Sequence, residues 1–177
     1  QDRADEAAAA LNAVRTQPGM DRRKIGFLGF SQAGWVIPPA ARQSQPAFSV
    51  IVGGAINWRE QGAYYTRQKL ARAGMADAEI ERQVSAELTA NDAVFGQPEL
   101  ADPSQRPDIE PKRFTFIARN YLADATQSVS VMPGPVLALW GSDDLNVDPQ
   151  QNAKRYQQLL TARLEQQAVI VPEATHG

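Results

Sequence analysis

Residues 24–34 constrain the fold of this chain more than any other stretch. An apolar run over residues 25–30 predicts a buried strand, and a helical pattern begins directly after the turn that follows. Ser31 lies at the apex of that turn. In so sharp a turn the serine backbone is strained, and the residues two before and two after it pack against each other. Both must be small, and here they are Gly29 and Ala33.

Strand and helix patterns alternate in the first third of the chain and again at its end. The predicted strands are residues 24–30, 48–53, 135–141 and 168–171. The predicted helices here are residues 2–17, residues 32–43 with a bend or break at Pro38-Pro39, and a helix that starts at Asp148-Pro149. Continuous apolar strands are typical of a parallel sheet that is buried on both faces. We therefore predict an α/β fold with a parallel, doubly wound sheet.

The middle of the chain, residues 58–132, has no clear strand pattern. A helix over residues 58–73, a second one capped by Asp77 and a third over residues 113–125 are predicted instead. We expect this segment to be a helical lid inserted into a core made of residues 1–57 and 133–177.

Composition excludes several classes of function. The 177 residues carry a net charge of -2, which gives no reason to expect a nucleic-acid partner. With no cysteine and a single histidine, no metal site or cofactor is expected. No apolar run approaches the roughly 18 residues of a membrane span, so no membrane partner is expected. No signal-peptide pattern is present, and the sequence leaves a cytoplasmic or a periplasmic location open.

Three side chains with complementary chemistry follow predicted strands. A serine hydroxyl is a weak nucleophile until a nearby base removes its proton, and a histidine base needs a carboxylate to orient it. Ser31 follows the first predicted strand, Asp143 and Asp144 follow the third, and His176 follows the last. Each alone has an ordinary explanation: a turn serine, solvated loop carboxylates, a surface histidine. Their combination favours a catalytic triad.

Three motifs resemble the C-terminal half of an α/β-hydrolase of the esterase and acyl-peptidase type. They are residues 25–40, residues 135–147 and residues 172–177. The family orders its triad as serine, acid, histidine, as here. The family motif Gly-x-x-Asp-x-x-Val selects Asp144 rather than Asp143 as the acid. The turn departs from the family's Gly-x-Ser-x-Gly by one methyl group, at Ala33.

This resemblance implies which parts of the family fold the chain holds. Its strands would be the fifth to the eighth of the family's sheet. The backbone amide of Gln32 would be one oxyanion donor, and the second would come from a loop that the sequence lacks. An N-terminal half, in the same or a separate chain, is expected to pair with the strand before Ser31, whose apolar edge is otherwise exposed.

The leading functional hypothesis is a serine hydrolase that cleaves carboxylic esters of a small acyl substrate through an acyl-enzyme. The alternatives are a serine peptidase or amidase of the prolyl-peptidase-like branch and a non-catalytic binding protein of the same fold. Aromatic residues of the insertion are candidates for an acyl pocket, although most are expected to be core residues of the lid. Trp58 is the best candidate for substrate binding, because it follows the end of a strand.

Overall fold

A computed structural model describes residues 2–160 and 165–176. The strands are β1 (Phe27–Phe30), β2 (Ser49–Val52), β3 (Val136–Gly141) and β4 (Gln166–Val171). The helices are α1 (Asp2–Arg15), α2 (Ala33–Ser44), α3 (Trp58–Arg72), α4 (Asp77–Phe95), α5 (Pro111–Asn120), α6 (Thr126–Ser130) and α7 (Pro149–Leu159). Short 3₁₀ turns lie at Arg22–Lys24, Pro98–Leu100 and Pro103–Gln105.

The chain divides into two compact units. The first comprises Gln1–Ile56 and Asp124–Gly177, and the second is Asn57–Ala123. The sequence analysis placed the insertion at residues 58–132, whereas α6 packs with the first unit: Val129 and Met132 belong to its core.

The first unit is built on a parallel sheet with the strand order β1-β2-β3-β4. Phe30, Val52, Leu139 and Val169 lie side by side across it. This arrangement confirms the predicted parallel α/β sheet. β4 begins two positions earlier than the predicted residue 168, because Gln166 and Gln167 pair with β3 although they are polar. The carboxyl ends of all four strands therefore share one edge of the sheet.

One face of the sheet carries the main core. Ile51, Ala138 and Trp140 are fully buried on this face. They pack with Ile37 of α2 and Tyr156 of α7, and the rings of Trp140 and Tyr156 meet edge to face with their centroids 5.2 Å apart. This core fixes the strand ends that carry the candidate site.

The residues that point to the other face are less buried. Leu28 and Phe30 of β1 are 64% and 61% exposed, and the alternate positions of β2 and β3 are half-buried. β1 is also an edge strand. Large apolar side chains on an edge strand are a surface to which another strand or helix binds readily.

α2 continues through Pro38 and Pro39 without the interruption that was one of the two expected outcomes, whereas a bend at this point stays a prediction. The two prolines remove two amide donors from the helix, which disfavours it locally. However, Ile37, Ala40 and Ala41 on the same segment are buried. Tertiary packing of this apolar side therefore outweighs the local preference.

The second unit contains α3, α4 and α5. Ile80 and Val84 of α4 pack against Ala63 of α3, and a separate aromatic cluster lies around Phe95. Asp77 is the first residue of α4, and the N-cap is Ala76, which makes no side-chain hydrogen bond to the helix. The predicted cap at Asp77 is therefore wrong by one position.

Candidate active site

Ser31 lies directly after β1 in a left-handed backbone conformation, with φ of 50°. Non-glycine residues seldom adopt this conformation, so it stays populated only where the surroundings enforce it. The Ser31 amide donates to the Val52 carbonyl at 2.8 Å, and the Gly34 amide donates to the Ser31 carbonyl at 3.0 Å. These bonds hold the turn between β1 and α2, and they hold the serine at the carboxyl edge of the sheet.

The turn is tight because two small residues meet beneath it. A Cβ atom placed on Gly29 would lie 2.6 Å from the Ala33 Cβ and 2.9 Å from the Ile37 Cδ1. Backbone from the strand and the helix thus approach so closely that any side chain at residue 29 would force the helix away. The methyl group of Ala33 is accommodated because its partner is a glycine.

Asp144 lies in the turn after β3, and its side chain is completely buried. Its Oδ1 accepts hydrogen bonds from the amides of Asn146 and Val147 at 2.8 and 2.9 Å. Its Oδ2 lies 2.8 Å from Nδ1 of His176. Two backbone donors and an imidazole therefore surround the carboxylate and hold it in one position.

The neighbouring Asp143 is in a different environment. It is exposed, and its Oδ1 accepts a hydrogen bond from Ser142 Oγ at 3.0 Å. Of the two adjacent carboxylates, Asp144 is the one that contacts the histidine.

His176 lies beyond β4 and joins the other two side chains. Its Nε2 is 2.9 Å from Ser31 Oγ, while its Nδ1 faces Asp144. If Nδ1 carries the proton, it donates to the carboxylate, and Nε2 is then free to accept from the serine hydroxyl. The structure thus brings Ser31, Asp144 and His176 together in one hydrogen-bonded chain, from three different strand ends.

The histidine loop is tied to the acid loop by backbone hydrogen bonds. The Ser142 amide donates to Val171, and the Asp143 amide donates to Ala174, both at 2.9 Å. Ser142 Oγ in turn accepts from the Glu173 amide at 2.9 Å. Sequence analysis did not identify Ser142, because a serine between a glycine and two aspartates is also typical of an ordinary turn.

The amide of Gln32 follows Ser31 immediately and precedes α2. Among residues 2–160 and 165–176, no group accepts a hydrogen bond from this amide, although the amides of Ser31 and Gly34 are both bonded. An unpaired N–H at the start of a helix is suited to bind a negatively charged oxygen.

Trp58 is the first residue of α3, in the second unit. It is half-buried, and its ring lies edge-on to those of Phe116 and Tyr121, at centroid distances of 6.4 and 6.1 Å. Phe95, Phe114 and Tyr121 form the buried part of this cluster. These three are core residues of the second unit, whereas the role of Trp58 in binding substrate stays a prediction.

Residues 2–160 and 165–176 contain neither a metal-binding cluster nor a membrane-spanning helix. No group of three or more His, Cys, Asp or Glu side chains there is placed to hold a metal ion. No helix there is both long enough and apolar enough to cross a lipid bilayer.

Comparison with known proteins gives matches to solved structures. No protein-family model and no curated protein sequence matches the chain. A dipeptidyl peptidase 4 from Porphyromonas gingivalis matches with a TM-score of 0.58 and 19% identity, over 98% of this chain and 19% of that one. An esterase from a Rhodococcus species matches with a TM-score of 0.52 and 22% identity, over 99% of this chain and 64% of that one.

An esterase from Pyrococcus furiosus also matches, with a TM-score of 0.59 and 12% identity, over 97% of this chain and 52% of that one. The chain spans less than two thirds of the length of each of these proteins. At these identities the likeness concerns the fold. By its parallel sheet, its strand-to-helix turn and these neighbours, the chain has the fold of the α/β-hydrolases.

Proposed function

We propose that this chain carries the catalytic centre of a serine hydrolase that cleaves carboxylic esters through an acyl-enzyme. The observation that carries the proposal is the hydrogen-bonded series Ser31 Oγ, His176 Nε2, His176 Nδ1 and Asp144 Oδ2, with successive distances of 2.9 and 2.8 Å. Fold alone does not define a function, so the proposal depends on these three side chains.

In the proposed reaction, Ser31 Oγ attacks the acyl carbon while His176 Nε2 takes its proton. Asp144, which is buried and acts as a hydrogen-bond acceptor, holds the imidazole in the required tautomer and stabilises its charged form. The imidazolium then protonates the leaving alcohol, and an ester between the acyl group and Ser31 remains. Water hydrolyses that ester by the same sequence of proton transfers.

The negative charge that develops on the acyl oxygen needs hydrogen-bond donors. The unpaired Gln32 amide is the proposed first donor, at the start of α2 whose dipole favours negative charge. Removal of one donor from such a pair reduces turnover by about 10²–10³-fold in other enzymes. We therefore propose that the second donor comes from polypeptide that pairs with this unit.

That polypeptide, in the same or a separate chain, is the proposed partner of β1. Two observations support it: the exposed side chains Leu28 and Phe30 on an edge strand, and the fraction of the matched structures that the chain spans. Trp58 is the proposed contact to the acyl group, and a small acyl compound is the proposed substrate.

A peptidase or amidase is the second candidate function. The dipeptidyl peptidase among the structural neighbours supports this alternative, and the esterases support the first. The same three side chains serve both reactions, since the two differ in the leaving group that His176 protonates. A non-catalytic binding protein is a third candidate.

Covalent labelling by a fluorophosphonate, followed by intact mass, tests the proposal. The unaltered protein should gain one adduct, whereas Ser31→Ala and His176→Ala should gain none. Ser130→Ala is a matched control, because Ser130 is exposed and its hydroxyl donates to the nearby Gln127 carbonyl. Absence of labelling in the full-length protein would favour the binding protein.

After labelling is established, paired ester and amide substrates with the same acyl group separate the first two functions. An ester preference that greatly exceeds the intrinsic difference in reactivity supports the esterase. Comparable turnover of a peptide or anilide supports the peptidase.

A further inference from the structure

The strand order creates a geometric problem for the histidine. Ser31 follows β1, one of the two outer strands of the sheet, and His176 follows β4, the other outer strand. Neighbouring strands lie about 4.8 Å apart, so the histidine must reach across the ends of β3 and β2 over about 14 Å. Whatever side chains stand at those two strand ends lie directly in its path.

The end of β3 is Gly141, and the histidine loop crosses it in close contact. A Cβ atom on Gly141 would lie 2.1 Å from the Ala174 carbonyl oxygen and 2.5 Å from that of Thr175. These distances are far below any van der Waals contact, so the loop occupies the space that a side chain would need.

The end of β2 is followed by Gly53, which lies beneath the imidazole itself. Its φ is 59°, and a Cβ atom there would lie 3.2 Å from both Cε1 and Nδ1 of the His176 ring. The Gly53 amide donates to Leu139 at 2.8 Å, which ties this residue to β3. The ring, hydrogen-bonded to Ser31 on one side and to Asp144 on the other, therefore rests on the backbone of Gly53.

We infer that Gly53 is a positioning residue for His176: its missing side chain and fixed backbone set the height of the imidazole above the sheet. A methyl group at this place would displace the ring by a few tenths of an ångström, because ordinary contacts begin near 3.4 Å. That displacement acts on both hydrogen bonds of the imidazole at once. The importance of Gly53 for catalysis rests on the proposed hydrolase function. The contact between Gly53 and the His176 ring does not depend on that proposal.

The test compares Gly53→Ala with Gly19→Ala in the full-length protein. Gly19 has a φ of 82°, and none of the residues that the structure describes has an atom within 4 Å of its added Cβ. This control therefore shares the backbone strain without a steric contact. We expect Gly53→Ala to slow fluorophosphonate labelling on the order of tenfold or more, and Gly19→Ala to leave it within about twofold. With an ester substrate, kcat should fall while KM stays unchanged.

A double-mutant cycle with His176→Ala measures the contact without any activity. Gly53→Ala should lower the Tm more in the presence of the imidazole than in the His176→Ala background, where the ring is gone. Gly19→Ala should lower it equally in both. If Gly53→Ala fails to fold, recovery of folding in Gly53→Ala/His176→Ala supports the inference, and failure of both variants overturns it.

The outcomes separate the two proposals. Equal labelling of the Gly53 and Gly19 variants, or equal Tm shifts with and without the imidazole, would overturn the role of Gly53. If even the unaltered protein is not labelled, the hydrolase proposal fails, and the Tm cycle still decides whether Gly53 supports the ring.

Discussion

Asp143 and Asp144 are adjacent in the sequence, but one is exposed and the other is buried. Asp144 is buried and accepts hydrogen bonds from two amides, besides its contact with His176. Asp143 is exposed and accepts from Ser142. Because a buried carboxylate is fixed in position while an exposed one is mobile and solvated, only Asp144 can hold the histidine in a single tautomer.

We predict that Asp144→Asn lowers kcat by about 10⁴-fold with little change in the fold. The amide nitrogen of an asparagine would donate to Nδ1 and so favour the tautomer whose Nε2 cannot accept the serine proton. Steady-state kinetics with a chromogenic ester measures the effect, and circular dichroism verifies folding. Asp143→Asn is the matched control, expected to change kcat by less than about twofold; a larger loss for Asp143 than for Asp144 would reverse the assignment.

At the scale of single residues, the sequence was sufficient to predict those site residues that carry a reactive side chain next to a recognisable strand pattern. Ser31, Asp144 and His176 each follow a strand pattern and carry a reactive group, and the structure brings all three together. Their catalytic roles stay proposals. Gly53 escaped sequence analysis because its contact is with a ring far away in the chain, and a glycine after a strand is common for many other reasons.

Helices α3 and α4 are joined by an ionic contact that should make stability depend on pH. Arg59 donates to both oxygens of Asp92 at 2.7 and 2.6 Å, and Tyr121 donates to the same carboxylate at 2.5 Å. The Arg59 guanidinium and then the Tyr121 hydroxyl lower the pKa of Asp92 from 3.8 to about 2. Burial, and then its bond to Asp92, raises the pKa of Tyr121 from 10.0 to about 12.

The sign of each contribution follows from linkage. The folded state favours ionised Asp92, so this stabilisation is complete above pH 3.8 and is lost as the pH falls towards 2. It favours neutral Tyr121, so that stabilisation is complete below pH 10 and is lost as the pH rises towards 12. Asp92 is 44% exposed, and solvent and salt therefore screen its pair with Arg59.

We predict that Asp92→Asn flattens the decline of Tm with falling pH between about 4 and 2. Tyr121→Phe should flatten its decline with rising pH between about 10 and 12. Thermal unfolding followed by circular dichroism across both pH ranges measures these slopes, with a repeat in high salt to weaken the acid-side difference. Slopes identical to those of the unaltered protein would contradict the pairing.

The elements themselves were predictable where the pattern is local and strong. The apolar runs located the four strands of the described sheet, because strands of a parallel sheet are rich in apolar residues, but they missed the polar start of β4 at Gln166 and Gln167. The predicted cap of α4 was wrong by one position, since α4 begins at Asp77 itself. α2 continues through Pro38-Pro39 without the interruption that was one of its two expected outcomes, because its apolar side is buried.

For the whole molecule, the uncovered face of the sheet leads to the next prediction. Leu28 on β1 and Leu100 in the second unit are 64% and 67% exposed in this chain. If further polypeptide covers β1, Leu28 is a core residue of the complete protein while Leu100 remains a surface residue. Leu28→Ala should then reduce the free energy of unfolding of the full-length protein by about 2 kcal/mol or more.

Leu100→Ala, the matched control, should change that free energy by no more than about 0.5 kcal/mol. Urea denaturation of both variants measures the difference. Equal, small effects for the two leucines would mean that β1 stays uncovered in the complete protein, and the proposed partner would have to be withdrawn.

The parallel sheet was predictable from the alternation of strand and helix patterns, and the α/β-hydrolase fold from three short motifs at the strand ends. The insertion was expected at residues 58–132, and the second compact unit of the structure comprises Asn57–Ala123.

The hydrogen bond between Ser31 and His176 joins residues 145 positions apart. A ribosome makes Ser31, the proposed nucleophile, before β2, β3 and β4, and makes His176, its proposed base, after them, and chains emerge at about 5–20 residues per second. For several seconds of synthesis the serine is therefore present without the histidine. Under the proposed mechanism a chain released before β4 should not react, so labelling of Ser31 would report that this segment has been synthesised as far as His176.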